Sequence, residues 1–95
     1  MAYLVIYDLN APDQDYSGLY DEIKQLDSTA FRIANSVWIV HYSGTATEIR
    51  NFLSPAVDED DKLIIIKCSD DAAWQGLNRA VDFLLRRAIW NRSLV

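Results

Sequence analysis

Tyr3-Leu4-Val5-Ile6-Tyr7-Asp8-Leu9-Asn10 is the stretch from which the rest of the chain is read. It has strand length and is rich in β-branched and aromatic residues. Tyr3, Val5 and Tyr7 form one parity; Leu4, Ile6 and Asp8 form the other. Neither turns polar before Asp8. A strand with one wet face alternates, whereas a strand covered on both faces does not. The run therefore predicts a central strand with apolar cover on each side. It ends on a carboxylate, where the chain leaves the sheet for Asn10-Ala11-Pro12-Asp13. Asp8 has two readings: a functional acid at a strand tip, or a strand-terminal Asp serving the following turn.

Working outward, Tyr16, Leu19, Tyr20, Ile23 and Leu26 recur at helical spacing, with Asp15 or Ser17 as expected N-cap. Thr29 to Ile33 reads as a second strand and Ser36 to Tyr42 as a third, joined at Ala34-Asn35 into a hairpin. The third strand is again apolar on both parities. Thr45-Ala46-Thr47-Glu48 is a capping box, opening a short helix that carries Ile49, Phe52 and Leu53 and stops at Pro55. An acidic turn, Asp58 to Asp61, precedes a fourth strand, Leu63 to Ile66. Ser69-Asp70-Asp71 is the expected cap of a last helix striped by Trp74, Leu77, Val81, Leu84, Leu85 and Ala88, which Gly76 divides. The tail from Trp90 has no clear period.

The order βαββαβ is the split pattern of an α+β, ferredoxin-like fold. It predicts a four-stranded antiparallel sheet in the order 4-1-3-2, with strands one and three central, plus a C-terminal helix. The 95 residues make a single domain, with a core at about 3–68 and a helical extension at about 70–90. Two helices cover one face. The apolar surplus on the other calls for the C-terminal helix or for a second copy, and an isologous dimer is the commonest assembly. Antiparallel pairing sets the end of strand one beside the start of strand three. Asp8, Asn35 and Ser36 are thus expected at one rim, where Asn35 and Ser36 orient a phosphate or a bound water, or simply serve the hairpin turn.

Composition narrows the classes. Hydrophobic residues make up 51% of the chain, with three Trp and five Tyr, so it folds. No apolar run approaches the roughly 18 residues of a membrane span. No signal-peptide pattern opens the chain, and Cys68 stands alone, so a reducing, cytoplasmic setting is expected. The formal net charge of −5 opposes a passive attraction to nucleic acid. His41 has no ligand-spaced partner and reads as structural. Arg86, Arg87 and Arg92 read as solvating charges that favour a helix C-terminus, and Cys68 as a small buried hydrophobe.

The opening Tyr-Leu-Val-Ile-Tyr-Asp-Leu, the hairpin reaching Asn-Ser-Val-Trp at 35–38, and the βαββαβ order between them carry a resemblance. Over residues 3–68 the chain resembles the small CRISPR-associated Cas-two-like proteins, most of all their short SinR-like branch outside CRISPR loci. The resemblance implies a homodimer that brings two strand-one carboxylates together. It implies Asp8 as catalytic residue and ligand of a shared Mg²⁺ or Mn²⁺, and an endonuclease acting on RNA or DNA. Asn10, Asn35 and Ser36 are then the substrate-contact candidates. The alternative is a non-catalytic dimer that binds a protein or nucleic-acid partner. The chain departs from the family in two places. A helix stands where a swapped fifth strand is usual, and the loop after Asp8 lacks an Arg often found near the metal.

Overall fold

The computed structural model describes residues 1–10 and 16–90. Strand β1 (Ala2–Asp8) leads through helix α1 (Ser17–Leu26) to β2 (Phe31–Ala34) and β3 (Val37–His41). Helix α2 (Ala46–Leu53), a 3-10 turn (Ser54–Ala56), β4 (Lys62–Lys67) and helix α3 (Arg79–Trp90) complete the chain. The fold is α+β. Its four-stranded sheet runs β2-β3-β1-β4 with every pairing antiparallel, so β1 and β3 are central as the two-sided apolar runs require.

The register divides the sheet into two chemically distinct faces. Tyr3, Val5 and Tyr7 of β1 join Trp38 and Val40 of β3 beneath α1 and α2, against Leu19, Ile23, Ile49 and Leu53. Each fully buried Leu or Ile contributes about 1.5–3 kcal/mol of apolar transfer. The capping box forms as expected: Thr45 Oγ1 accepts from Glu48 N–H, and Glu48 Oε1 accepts from Thr45 N–H at 2.8 Å. At Gly44 a side chain would strike the Glu48 carboxylate and the Tyr42 ring, so the approach to α2 requires glycine.

The opposite face holds a second core of Ala2, Ile39, Leu85, Ala88 and Ile89. Helix α3 lies over β2 and β3. It leaves Ile64 and Ile66 of β4 exposed at 46% and 48%, with Leu4 and Ile6 half-buried beside them. The C-terminal helix therefore covers half of this face and leaves an apolar strip along β4 open.

Two helix starts differ from expectation. Ser17 is the first residue of α1 and Tyr16 occupies the cap position, because the Tyr16 side chain is drawn into the core; Asp15 lies outside the described residues. The last helix begins at Arg79, not near Asp71. Asn78 caps it, its Oδ1 accepting from Val81 N–H at 2.9 Å. Gly76 holds φ +85°, which no α-helix continues through. Residues 69–78 instead form an irregular arm pinned to α3. Trp74 stacks on Trp90 with ring centroids 4.8 Å apart, and the Trp90 indole donates to Asp70 O. Trp90 is thus the final residue of α3 and docks, while Arg92 lies outside the described residues. Arg86 pairs with Asp82 at 2.7 Å, and Arg87 lies near the Phe83 ring. No described helix is long and apolar enough to cross a membrane.

Asp27 ties the end of α1 to β3. Its carboxylate accepts from Thr29 N–H, Thr29 Oγ1 and His41 N–H, with His41 Nδ1 at 3.6 Å. Burial raises the Asp27 carboxyl, but the Thr29 hydroxyl, the two backbone donors and the His41 charge outweigh it and hold it below the usual range. A depressed folded value stabilises the fold above the unfolded pKa of about 4 and loses that stabilisation as pH falls through the folded value. Asp27→Asn is expected to cost about 2 kcal/mol at pH 7. Urea titrations at pH 7 and pH 3 should show the gap between wild type and variant narrowing at the lower pH.

Candidate functional site at the β1 rim

Three chain segments converge where β1 ends. The last β1–β3 pair is Ile6 with Val37, and Tyr7 N–H donates to Ser36 O at 3.1 Å just beyond it. This sets the hairpin turn against the tip of β1. An open pocket of about 310 Å³ follows, lined by Tyr7, Asp8, Leu9, Tyr16, Tyr20, Asn35 and Ser36. Asp8, Asn35 and Ser36 thus line one pocket, as antiparallel topology demands. Asn10 is not among its described lining residues; its backbone N–H turns instead to Asp61.

The pocket wall is largely aromatic. Tyr7 is buried, its hydroxyl accepting from Trp38 Nε1 at 3.0 Å and donating to Asn35 O. Burial pushes the Tyr7 hydroxyl above its ordinary range, so it stays protonated at neutral pH and works as a fixed dipole. Tyr20 stacks on Trp38 at 6.0 Å, and the Arg32 guanidinium sits 4.8 Å from the Tyr20 ring centre and 5.2 Å from that of Trp38. A ring face attracts a cation, so Arg32 caps this stack at the β2 edge.

Asp8 belongs to the parity of Leu4 and Ile6 and so closes the open apolar strip at its rim end. Across the β1–β4 ladder it faces Lys62, whose Nζ lies 3.6 Å from Asp8 Oδ2. Both side chains are about three-quarters exposed, at 76% for Asp8 and 73% for Lys62. Such a pair is worth between 0 and about 1 kcal/mol and exchanges readily with other ions. Asp8 is the one acidic residue among the described residues that line the pocket. Among the described residues no group of three or more His, Cys, Asp or Glu side chains is placed to hold a metal ion.

Two residues of this rim escape a reading of single motifs. Lys62 follows from the same antiparallel logic that located Asn35, because the first residue of β4 must face the last of β1. Asp61 was legible only as part of a solvated acidic turn. Its carboxylate accepts from Asn10 N–H at 2.7 Å, Asp58 N–H at 2.8 Å and Tyr16 OH at 3.1 Å. The Asn10 donor, with Asp58 N–H and Tyr16 OH, outweighs partial desolvation and holds the Asp61 carboxyl below its usual range. Cys68 is half-buried, and burial raises its thiol, which makes it a poor nucleophile. His41 is exposed and belongs to the Asp27 contact, away from this pocket. No protein-family model matches the chain.

Proposed function

We propose that this chain is a ferredoxin-like, Cas-two-like protein that acts on nucleic-acid phosphodiesters as a homodimer, with Asp8 as its indispensable carboxylate. The observation that carries the reading is the position of Asp8: it borders a pocket with Asn35 and Ser36 and also ends an uncovered apolar strip. A two-fold contact across that strip would bring two such acids into one interface, adding to the single acid found among the described residues of each pocket.

A divalent ion suits this donor set. Mg²⁺ keeps several waters and takes one or two carboxylates together with substrate phosphates, so a rim with one exposed Asp meets its need. When bound, Mg²⁺ or Mn²⁺ would supply an activated water and neutralise phosphate charge. Asp8 would hold the ion, and Asn35 and Ser36 would contact the phosphate. Asn10 lies beside the rim with its N–H committed to Asp61, which leaves its side chain as the candidate substrate contact. Lys62 has a double part: it neutralises Asp8 in the free protein and becomes available to a phosphate when Asp8 takes up another cation. That exchange offsets some of the repulsion that a chain of net charge −5 presents to a polyanion.

A second reading has its own support. Asp8 already has a cationic partner, and among the described residues no second acid lines its pocket, which fits a non-catalytic dimer that binds a partner through the same rim. Incubation of the wild-type protein with single- and double-stranded RNA and DNA separates the two. The nuclease reading expects cleavage of at least one substrate in Mg²⁺ or Mn²⁺ and none in EDTA. Intact substrates in every lane would sink it in favour of the binding module.

A further inference from the structure

We infer that the outward face of α3 is a binding surface for single-stranded nucleic acid, separate from the Asp8 pocket. The inference rests on the nucleic-acid reading above but not on the chemistry of Asp8. Helix α3 turns Leu85, Ala88 and Ile89 into the second core. At about 3.6 residues per turn, Arg79, Phe83, Arg86, Arg87 and Trp90 then fall on the opposite side, and all of them are exposed. This stripe carries guanidiniums and aromatic rings and no acid. Asp82, the acid of α3, is half-buried at its flank, where it accepts from Arg86 Nε and from Trp74 Nε1. Charges alone would solvate such a face, yet Phe83 at 59% exposure and Trp90 at 42% set rings in water among them. In a chain of net charge −5 the stripe is a local positive surface, complementary in charge to phosphate.

The rings are set for stacking. Trp90 lies against Trp74 with centroids 4.8 Å apart, its indole donates to Asp70 O, and Arg86 sits 5.7 Å from the centre of each ring. Arg87 lies 5.9 Å from the centre of the Phe83 ring. A ring held in this way takes a base with little further loss of side-chain freedom. Every base has a π face, so stacking accepts single strands of any sequence, whereas a duplex keeps its base faces stacked on one another. Arg86 is neutralised by Asp82. Among the described residues no carboxylate lies within ion-pair distance of Arg79 or Arg87. These two guanidiniums are the phosphate contacts, one a turn before Phe83 and one a turn after it. From Arg79 to Trp90 the stripe runs about 17 Å at 1.5 Å per residue, room for a strand of roughly 5 nucleotides at stacked spacing.

The test is fluorescence anisotropy of labelled oligouridylate and oligodeoxythymidylate in EDTA, where metal-dependent cleavage is silent. The wild type should bind both strands and should hold their duplexes with complementary strands more weakly. Phe83→Ala should weaken single-strand binding about tenfold, and Phe83→Trp should retain it. Arg79→Ala and Arg87→Ala should each weaken it and each flatten the slope of log affinity against log salt by about 0.7. Arg50→Ala removes an exposed arginine from α2, on the other face of the sheet, and should leave the affinity unchanged. All these side chains are exposed, so the urea midpoints should stay at the wild-type value. A wild type that binds neither strand overturns the inference. So does binding that Phe83→Ala leaves unaltered, or a duplex held as tightly as the single strands. Capture by phosphatidylserine vesicles without oligonucleotide binding overturns it in favour of a membrane surface. Binding without cleavage in Mg²⁺ or Mn²⁺ overturns the nuclease reading and leaves this surface standing; cleavage with an affinity indifferent to Phe83 and Arg87 does the reverse.

Discussion

Trp38→Ala lowers the unfolding free energy by about 3–5 kcal/mol, a large share of the roughly 5–15 kcal/mol that holds a domain of this size together. Trp38 is 6% exposed and is the second residue of β3, in the core beneath α1 and α2. Its loss leaves a cavity between the sheet and Tyr20, which stacks on it at 6.0 Å. The substitution also removes the indole N–H that donates to Tyr7 OH at 3.0 Å, leaving a buried hydroxyl short of a donor. Arg32 and Lys24, which lie 5.2 and 5.8 Å from the Trp38 ring centre, lose an aromatic face as well. Trp38→Phe retains most of the apolar surface and should cost less than the Ala change, with the deficit concentrated in the Tyr7 contact. Urea unfolding followed by circular dichroism measures both. A cost below about 1 kcal/mol for Trp38→Ala would mean that the core does not close around this side chain.

The second large effect concerns assembly. Ile64 and Ile66 project from the edge strand β4 on the face that α3 leaves open, with Leu4 and Ile6 alongside. Lys62 and Lys67 bound the strand, the kind of charge that discourages indiscriminate edge pairing while leaving the apolar strip between them available. In the proposed homodimer this strip is interface. Replacing both isoleucines with Glu should convert a dimer to a monomer at micromolar concentration, since an unpaired carboxylate in a dry contact costs several kcal/mol. In the isolated chain the same positions are exposed, so the fold itself should change by about 0.5 kcal/mol or less per site. Sedimentation velocity reads the first effect and urea unfolding the second. A wild type that sediments as a monomer, or a double variant that still dimerises, contradicts the dimer.

How much of this is legible in the sequence differs by element. The central position of β1 was legible, because Tyr3 to Tyr7 is apolar on both parities, as expected of a strand with neighbours on both edges, although its Leu4 and Ile6 face is only half covered. The meeting of Asp8 with Asn35 and Ser36 was too, since it follows from antiparallel pairing rather than from local chemistry. The capping box at Thr45 and Glu48 needed four residues and nothing else. The arm at 69–78 was not legible. Trp74 and Leu77 fit a helical stripe as well as they fit an irregular segment, and the choice is made by packing against the sheet and by the left-handed Gly76. How far α3 reaches across its face was equally hidden, because a sequence stripe shows that a helix has an apolar side but not which strands it will cover. Asp61 was hidden for a third reason. Its three donors come from Asn10, Tyr16 and Asp58, and the first two are distant in sequence, so the cluster exists only in three dimensions.

Asp8→Asn tests the central claim most directly. The substitution keeps the size of the side chain, removes the charge, and breaks an exposed pair with Lys62 worth at most about 1 kcal/mol, so the fold should remain. Wild-type and variant protein purified identically should be compared on single- and double-stranded RNA and DNA, with Mg²⁺, with Mn²⁺ and with EDTA. The account predicts metal-dependent cleavage by the wild type and its loss in Asp8→Asn, at unchanged urea midpoint. Equal cleavage by the two preparations would contradict it and place the activity elsewhere.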